Sequence, residues 1–152
     1  MANTQAMTTS FMQELLTGTH NFTPSTGDSF KAALYLASAT VNASTTAYSS
    51  TGEVTGTNYT AGGVAVTNGT APASTNASAT AGTAYWTPSA SITYTNVTLT
   101  TAFDAVLIYN SSKSDKAVSV HTFGSQTVTA GTFTLTMPSN TTSTALLRLA
   151  TT

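Results

Sequence analysis

Charge is scarce in this sequence. Of 152 residues only four are Lys or Arg and five are Asp or Glu, 6% of the chain, with a formal net charge of -1, against about a quarter in an ordinary globular protein. Binding nucleic acid through its phosphates takes several cations on one face, and Lys31, Lys113, Lys116 and Arg148 are scattered, so nucleic acid is not an expected partner. Electrostatic adsorption to an anionic membrane fails for the same reason. Cysteine is absent, which excludes a disulfide framework, a thiolate nucleophile, a Cys-ligated zinc and a thiol redox switch. No run of ~18 apolar residues is present to span a bilayer as a helix. Residues 1–9 lack the basic start and apolar stretch of a secretory signal, so the expectation is a chain made in the cytoplasm and kept soluble there.

Hydroxyls supply the polarity instead: Thr occurs 36 times and Ser 18 times, beside 23 Ala. Such a composition fits either a disordered stalk or a β-protein. Six Phe, six Tyr and one Trp, grouped in short runs between Gly, Asn and Ser clusters, argue for the second. Thr is itself β-branched and suits the exposed face of a pleated strand. The length predicts one domain, 1–152. Eight of nine Asn open an Asn-x-Ser/Thr triplet (Asn21, Asn42, Asn58, Asn68, Asn76, Asn96, Asn110 and Asn140), where about three would arise by chance. Without an export signal these triplets read as turn chemistry, because Asn tolerates left-handed backbone and bonds its own backbone.

The first element is a helix over about 8–17. Ser10 with Gln13 fits a capping box, Met7, Phe11 and Leu15 follow i, i+4 spacing, Met12 and Leu16 widen the stripe, and Gly18 stops it. Residues 29–36 alternate as a strand with one inner face, 40–59 are polar and irregular, and 63–67 form a short strand. Residues 68–82 hold no apolar side chain larger than Ala and read as a long loop, suited to mobility or to contact with a neighbouring subunit. Strand signals follow at 83–86, 91–94, 97–99, 103–109, 117–123, 126–128, 132–137 and 145–150. The 103–109 run, Phe-Asp-Ala-Val-Leu-Ile-Tyr, is the most continuous and predicts a central strand covered on both faces. The class is mainly β: a single-domain antiparallel β-sandwich or jelly roll with one short N-terminal helix.

Candidate sites are few. The five carboxylates, Glu14, Asp28, Glu53, Asp104 and Asp115, are too separated to pair for acid/base work. Glu14 falls on the exposed helix face. His20 and His121 are the only imidazoles, which excludes a His-rich metal site; His121, on one strand face with Ser119 and Phe123, reads as a hydrogen-bonded structural histidine. No Gly-x-Ser-x-Gly elbow is present, Gly124-Ser125-Gln126 reads as a turn between strands, and Gly62-Gly63 completes no phosphate-binding pattern. No catalytic residue, metal or cofactor is therefore expected. Tyr85, Trp86 and Tyr94 offer a sugar-stacking platform, although core packing explains aromatics at period two more simply. Met7, Phe11, Met12, Leu15 and Leu16 either cover an end of the sandwich or dock on a neighbouring subunit.

Several blocks carry a resemblance. Residues 10–22 (SFMQELLTGTHNF), 28–35 (DSFKAALY), 53–63 (EVTGTNYTAGG), 105–110 (AVLIYN) and 123–133 (FGSQTVTAGTF), in this order and over almost the whole chain, resemble a group of small virion structural proteins of tailed bacteriophages. The resemblance carries over no catalytic residues. It implies a component of the particle, and with the low charge and absent thiols the expectation is a capsid decoration or cement protein on the capsid surface, binding the major capsid protein by apolar contacts and self-associating as a homo-oligomer. The alternative is a tail or fibre-associated protein that binds host surface glycans through the aromatic patch.

Overall fold

The structure is a computed structural model and describes residues 2–78 and 81–151. It is a mainly β chain with two antiparallel sheets and one short helix, consistent with a β-sandwich. In chain order the elements are β1 (Ala6–Met7), α1 (Thr9–Leu16), β2 (Phe30–Leu36), β3 (Val64–Val66), β4 (Ala73–Ser78), β5 (Ala81–Trp86), β6 (Ile92–Asn110), β7 (Lys116–Leu135) and β8 (Leu147–Ala150). One sheet runs β1-β7-β6-β2-β3 and the other β4-β5-β8.

The β6–β7 hairpin is the spine of the molecule. Its strands pair from Asn110↔Lys116 at the turn to Ile92↔Leu135 at the far end, and the register shifts at five places, four of them between Tyr94 and Ala105. Such irregularities bend strands and let one ribbon serve two layers. Here they fold the far end of the hairpin over its own base. Phe133 meets Phe103 edge-on at 5.0 Å and Phe123 at 5.3 Å, and the Tyr94 hydroxyl donates to the Ala32 carbonyl at 2.7 Å. Gly124-Ser125-Gln126 therefore lies inside β7 rather than in a turn, and the strand expected to reach residue 137 ends at Leu135.

Residues 103–109 sit in β6 at the centre of the larger sheet, with Phe103, Val106 and Ile108 in one core cluster and Ala105, Leu107 and Tyr109 in another. β2 is likewise buried on both faces, not on one. Phe30, Ala32 and Leu34 join the first cluster, while Ala33 and Tyr35 face Ala39 and Val41 in the second. The irregular segment after β2 thus lies across the outer face of the sheet as its cover. Gly63 (φ +71°) turns the chain into β3 so close to the Ala32 carbonyl that a Cβ would collide with it, which accounts for glycine there.

Two further expectations change. α1 is capped by Thr8, whose Oγ1 accepts from Phe11 N at 3.3 Å; Ser10 is already helical, so no Ser10–Gln13 box forms. The 68–82 tract is largely a hairpin: β4 pairs with β5 through Ala73↔Tyr85, Ser74↔Ala84 and Thr75↔Thr83, and its residues 79 and 80 lie outside the described residues. Alternating Ala, Ser and Thr pleats as well as larger residues do once β8 supplies a third strand.

Candidate functional site

An apolar groove of about 500 Å³ opens between α1, the 18–23 segment and the face of β5 and β8. Met7, Phe11 and Leu15 form one wall; Tyr85, Trp86, Leu147 and Leu149 form the other. Its floor is aromatic: Phe22 stacks on Phe30 at 4.4 Å and meets Trp86 at 4.8 Å, and Phe11 lies 6.0 Å from Phe22. The Trp86 Nε1–H is shared between Asn68 Oδ1 at 3.2 Å and the Thr70 carbonyl at 3.0 Å, so the loop leading to β4 holds the indole in place.

The structure thus brings five of the eight candidate residues to one groove and separates the rest. Of the expected stripe, Met7 lies in β1 and not on the helix and is half-buried against the core, as is Leu15; Phe11 is core, and Met12 and Leu16 face outward, Leu16 at 89% exposure. A stripe this wide cannot all face inward on an eight-residue helix. Of the aromatic trio, Trp86 and Tyr94 are buried in the core, Tyr94 within stacking distance of Tyr59 at 5.8 Å, and only Tyr85 is partly exposed. The three rings therefore form no shared surface platform.

A polar chain closes the groove beside His20. Glu14, expected on the exposed helix face, is buried: Lys116 Nζ donates to its Oε1, and His20 Nε2 contacts Oε2 at 2.7 Å. His20 Nδ1 meets Asn110 Nδ2 at 2.9 Å, and Asn110 Nδ2 also donates to Asp28 Oδ2 at 2.8 Å. Lys113 lies 3.7 Å from Asp28. Burial raises both carboxyls, but the bonds and charges of Lys116 and His20 at Glu14, and of Asn21, Asn110, Lys113 and His20 at Asp28, outweigh it and hold both below their ordinary values. Each anion has its cation, so this end of the groove carries no unbalanced charge.

Sequence reasoning also missed a second buried carboxylate, in the segment between β2 and β3. Glu53 accepts from the Tyr48 hydroxyl at 2.6 Å, the Tyr59 hydroxyl at 2.8 Å and Gly62 N at 2.8 Å. Desolvation, reinforced by this charge, raises the Tyr48 and Tyr59 phenols, and pushes Tyr35 and Tyr109 up to about 12. The arrangement ties the 48–62 segment together, and Tyr59, whose hydroxyl accepts from Leu34 N at 3.0 Å, anchors it to β2.

A smaller pocket of about 290 Å³ contains His121 and Phe133. His121 Nε2 lies 2.9 Å from Ser119 Oγ, and burial pushes its pKa down to about 4, leaving a neutral ring at pH 7. Ser119 is wholly buried and open to no substrate, and among the described residues no carboxylate bonds the imidazole. No group of three or more His, Cys, Asp or Glu clusters for a metal among the described residues, and no described helix is long and apolar enough to cross a membrane.

Half of the Asn triplets mark turns. Asn21, Asn42 and Asn110 accept from the backbone N two residues on, at 2.9, 2.8 and 3.1 Å, and Asn58 adopts positive φ, as does Asn96 at a register shift inside β6. Compared with protein-family models, curated proteins and solved structures, the chain matches none.

Proposed function

We propose that this chain is a structural protein of a tailed-bacteriophage virion, a capsid decoration or cement protein that docks on the major capsid protein at the outer face of the head and stabilises it. The observation that carries the reading is the apolar groove, flanked by the exposed Leu16, Met12 and Leu149 on a surface whose neighbouring charges are paired. Large exposed apolar groups rimmed by hydroxyls are what a contact surface needs. A contact of this kind holds without depending on ionic strength, which suits a protein carried outside the cell in many copies. The same margin of α1 and β8 serves self-association between neighbouring copies. Synthesis in the host cytoplasm precedes assembly on the capsid surface.

Purified heads lacking the chain, mixed with the recombinant protein and analysed by quantitative mass spectrometry and labelled imaging, test this. The expected result is decoration of the head at a copy number comparable to that of the major capsid protein. Labelling confined to the tail overturns the assignment. The glycan-binding alternative has less support, because Trp86 and Tyr94 offer no open ring face; a glycan array showing Tyr85-dependent sugar binding would restore it.

A further inference from the structure

We propose that Asn68 is a site of spontaneous covalent change, its side-chain amide converting to a carboxylate through a succinimide formed with Gly69. Asn68-Gly69 is the one Asn-Gly pair in the chain, and it lies between β3 and β4, where Asn68 lines a separate pocket of about 230 Å³ beside Phe30 and Val66. Two features assist the chemistry and one restrains it. The nucleophile is the Gly69 backbone nitrogen, whose approach no side chain of its own obstructs. Its N–H donates to Ser89 Oγ at 3.0 Å, and Ser89 Oγ in turn donates to the Thr67 carbonyl at 3.0 Å. The serine hydrogen is thereby committed to Thr67, so the Gly69–Ser89 bond stabilises the N–H that must be lost and restrains the reaction. The electrophile is polarised as well. Trp86 Nε1–H donates to Asn68 Oδ1 at 3.2 Å, where negative charge develops as Cγ becomes tetrahedral.

The reaction balances with water alone. Gly69 N bonds to Asn68 Cγ and loses its proton to solvent; the Cγ–Nδ2 bond breaks and Nδ2 leaves as ammonia. Water then opens the succinimide at either carbonyl, giving aspartate or isoaspartate. Each of the other eight asparagines is followed by a residue with a side chain, which hinders the approach of its backbone nitrogen. The product adds a negative charge to a chain of formal net charge -1 and places it beside the Trp86 N–H. That conversion alters docking as the particle ages rests on the function proposed above; the chemistry does not.

Full-length protein held near neutral pH and followed by peptide mapping with enzymatic isoaspartate methylation is the test. Asn68 is expected to convert about tenfold faster than any other asparagine, and severalfold faster again when Ser89→Ala removes the acceptor that holds the Gly69 N–H. Asn68→Gln abolishes the signal. Conversion no faster than at the other asparagines, or slower in the folded chain than in the same chain in urea, overturns the proposal. Neither result involves capsid binding, so this inference and the docking assignment fail separately.

Discussion

Asn110 determines which nitrogen of His20 carries the proton. Its Oδ1 accepts from Ser112 N at 3.1 Å, which fixes the orientation of the amide. The two amide hydrogens then serve Asp28 Oδ2 and His20 Nδ1. Nδ1 is therefore the acceptor, and the proton sits on Nε2, directed at Glu14 Oε2. One buried side chain thus ties the β6–β7 turn to the 20–28 segment and, through His20, to α1.

Asn110→Ala deletes three hydrogen bonds at a position with no solvent exposure and leaves Asp28 and His20 short of partners. The expected cost is ~2–4 kcal/mol of unfolding free energy, read as a lower urea midpoint with an unchanged slope. A midpoint equal to that of the unmutated chain shows that the network stabilises nothing.

Acid sensitivity follows from His121, Glu14 and Asp28. The His121 pKa is depressed by burial from 6.5 to about 4. As pH falls the unfolded chain therefore takes up this proton first, so stability is full above about pH 6.5 and declines between there and about pH 4, by on the order of 3 kcal/mol. Glu14 and Asp28 are also lowered on folding, so their contributions are present above the ordinary carboxylate range and are lost as pH falls through and below it. Urea midpoints measured across this range are expected to fall in two stages, with the first stage absent in His121→Gln. Parallel curves for the two proteins contradict the assignment.

These groups show where the sequence is legible and where it is not. The 103–109 strand can be read because its apolar run is nearly continuous, and the helix because Phe11 and Leu15, with Met12 and Leu16, repeat at its own period, although Met7, which fits the same spacing, lies in β1. Glu14 cannot be placed the same way. Its cation, Lys116, lies 102 positions away in the chain, and only the fold brings them together. The single β6–β7 hairpin is hidden for a related reason: each register shift breaks the alternation, so two strands of 19 and 20 residues look like several short ones. Tyr35 and Ala33 give no hint of the irregular segment that covers them. The groove draws its walls from α1, β5 and β8, and its candidate residues read as two unrelated groups until tertiary structure joins them.

Glu53 is expected to tolerate even its closest isostere poorly. Glu53→Gln keeps the shape but replaces an accepting oxygen with an NH2 facing hydroxyl and N–H donors. A loss of ~2–3 kcal/mol follows from the unsatisfied donors. Tyr48→Phe removes one donor and leaves the carboxylate its other two, so its urea midpoint should fall less. The reverse order contradicts the arrangement.

Leu16 and Phe11 separate folding from docking on one helix. Phe11 is buried among His20 and Phe22, and Phe11→Ala should cost ~3–5 kcal/mol. Leu16 is almost fully exposed, so Leu16→Glu should leave the urea midpoint within ~0.5 kcal/mol of the original. If the margin of the groove is the contact surface, the same Leu16→Glu chain binds heads more weakly, because an isolated carboxylate must be desolvated against an apolar partner. Salt then discriminates the kind of contact. Charges at exposed interfaces are screened within a Debye length of ~8 Å at physiological ionic strength, whereas apolar burial is not weakened by sodium chloride. Decorated heads washed in increasing sodium chloride should therefore retain the chain, and Leu16→Glu should lower retention at every salt concentration. Release by salt alone would show that the few charges of this chain, not its apolar groove, hold it on the particle.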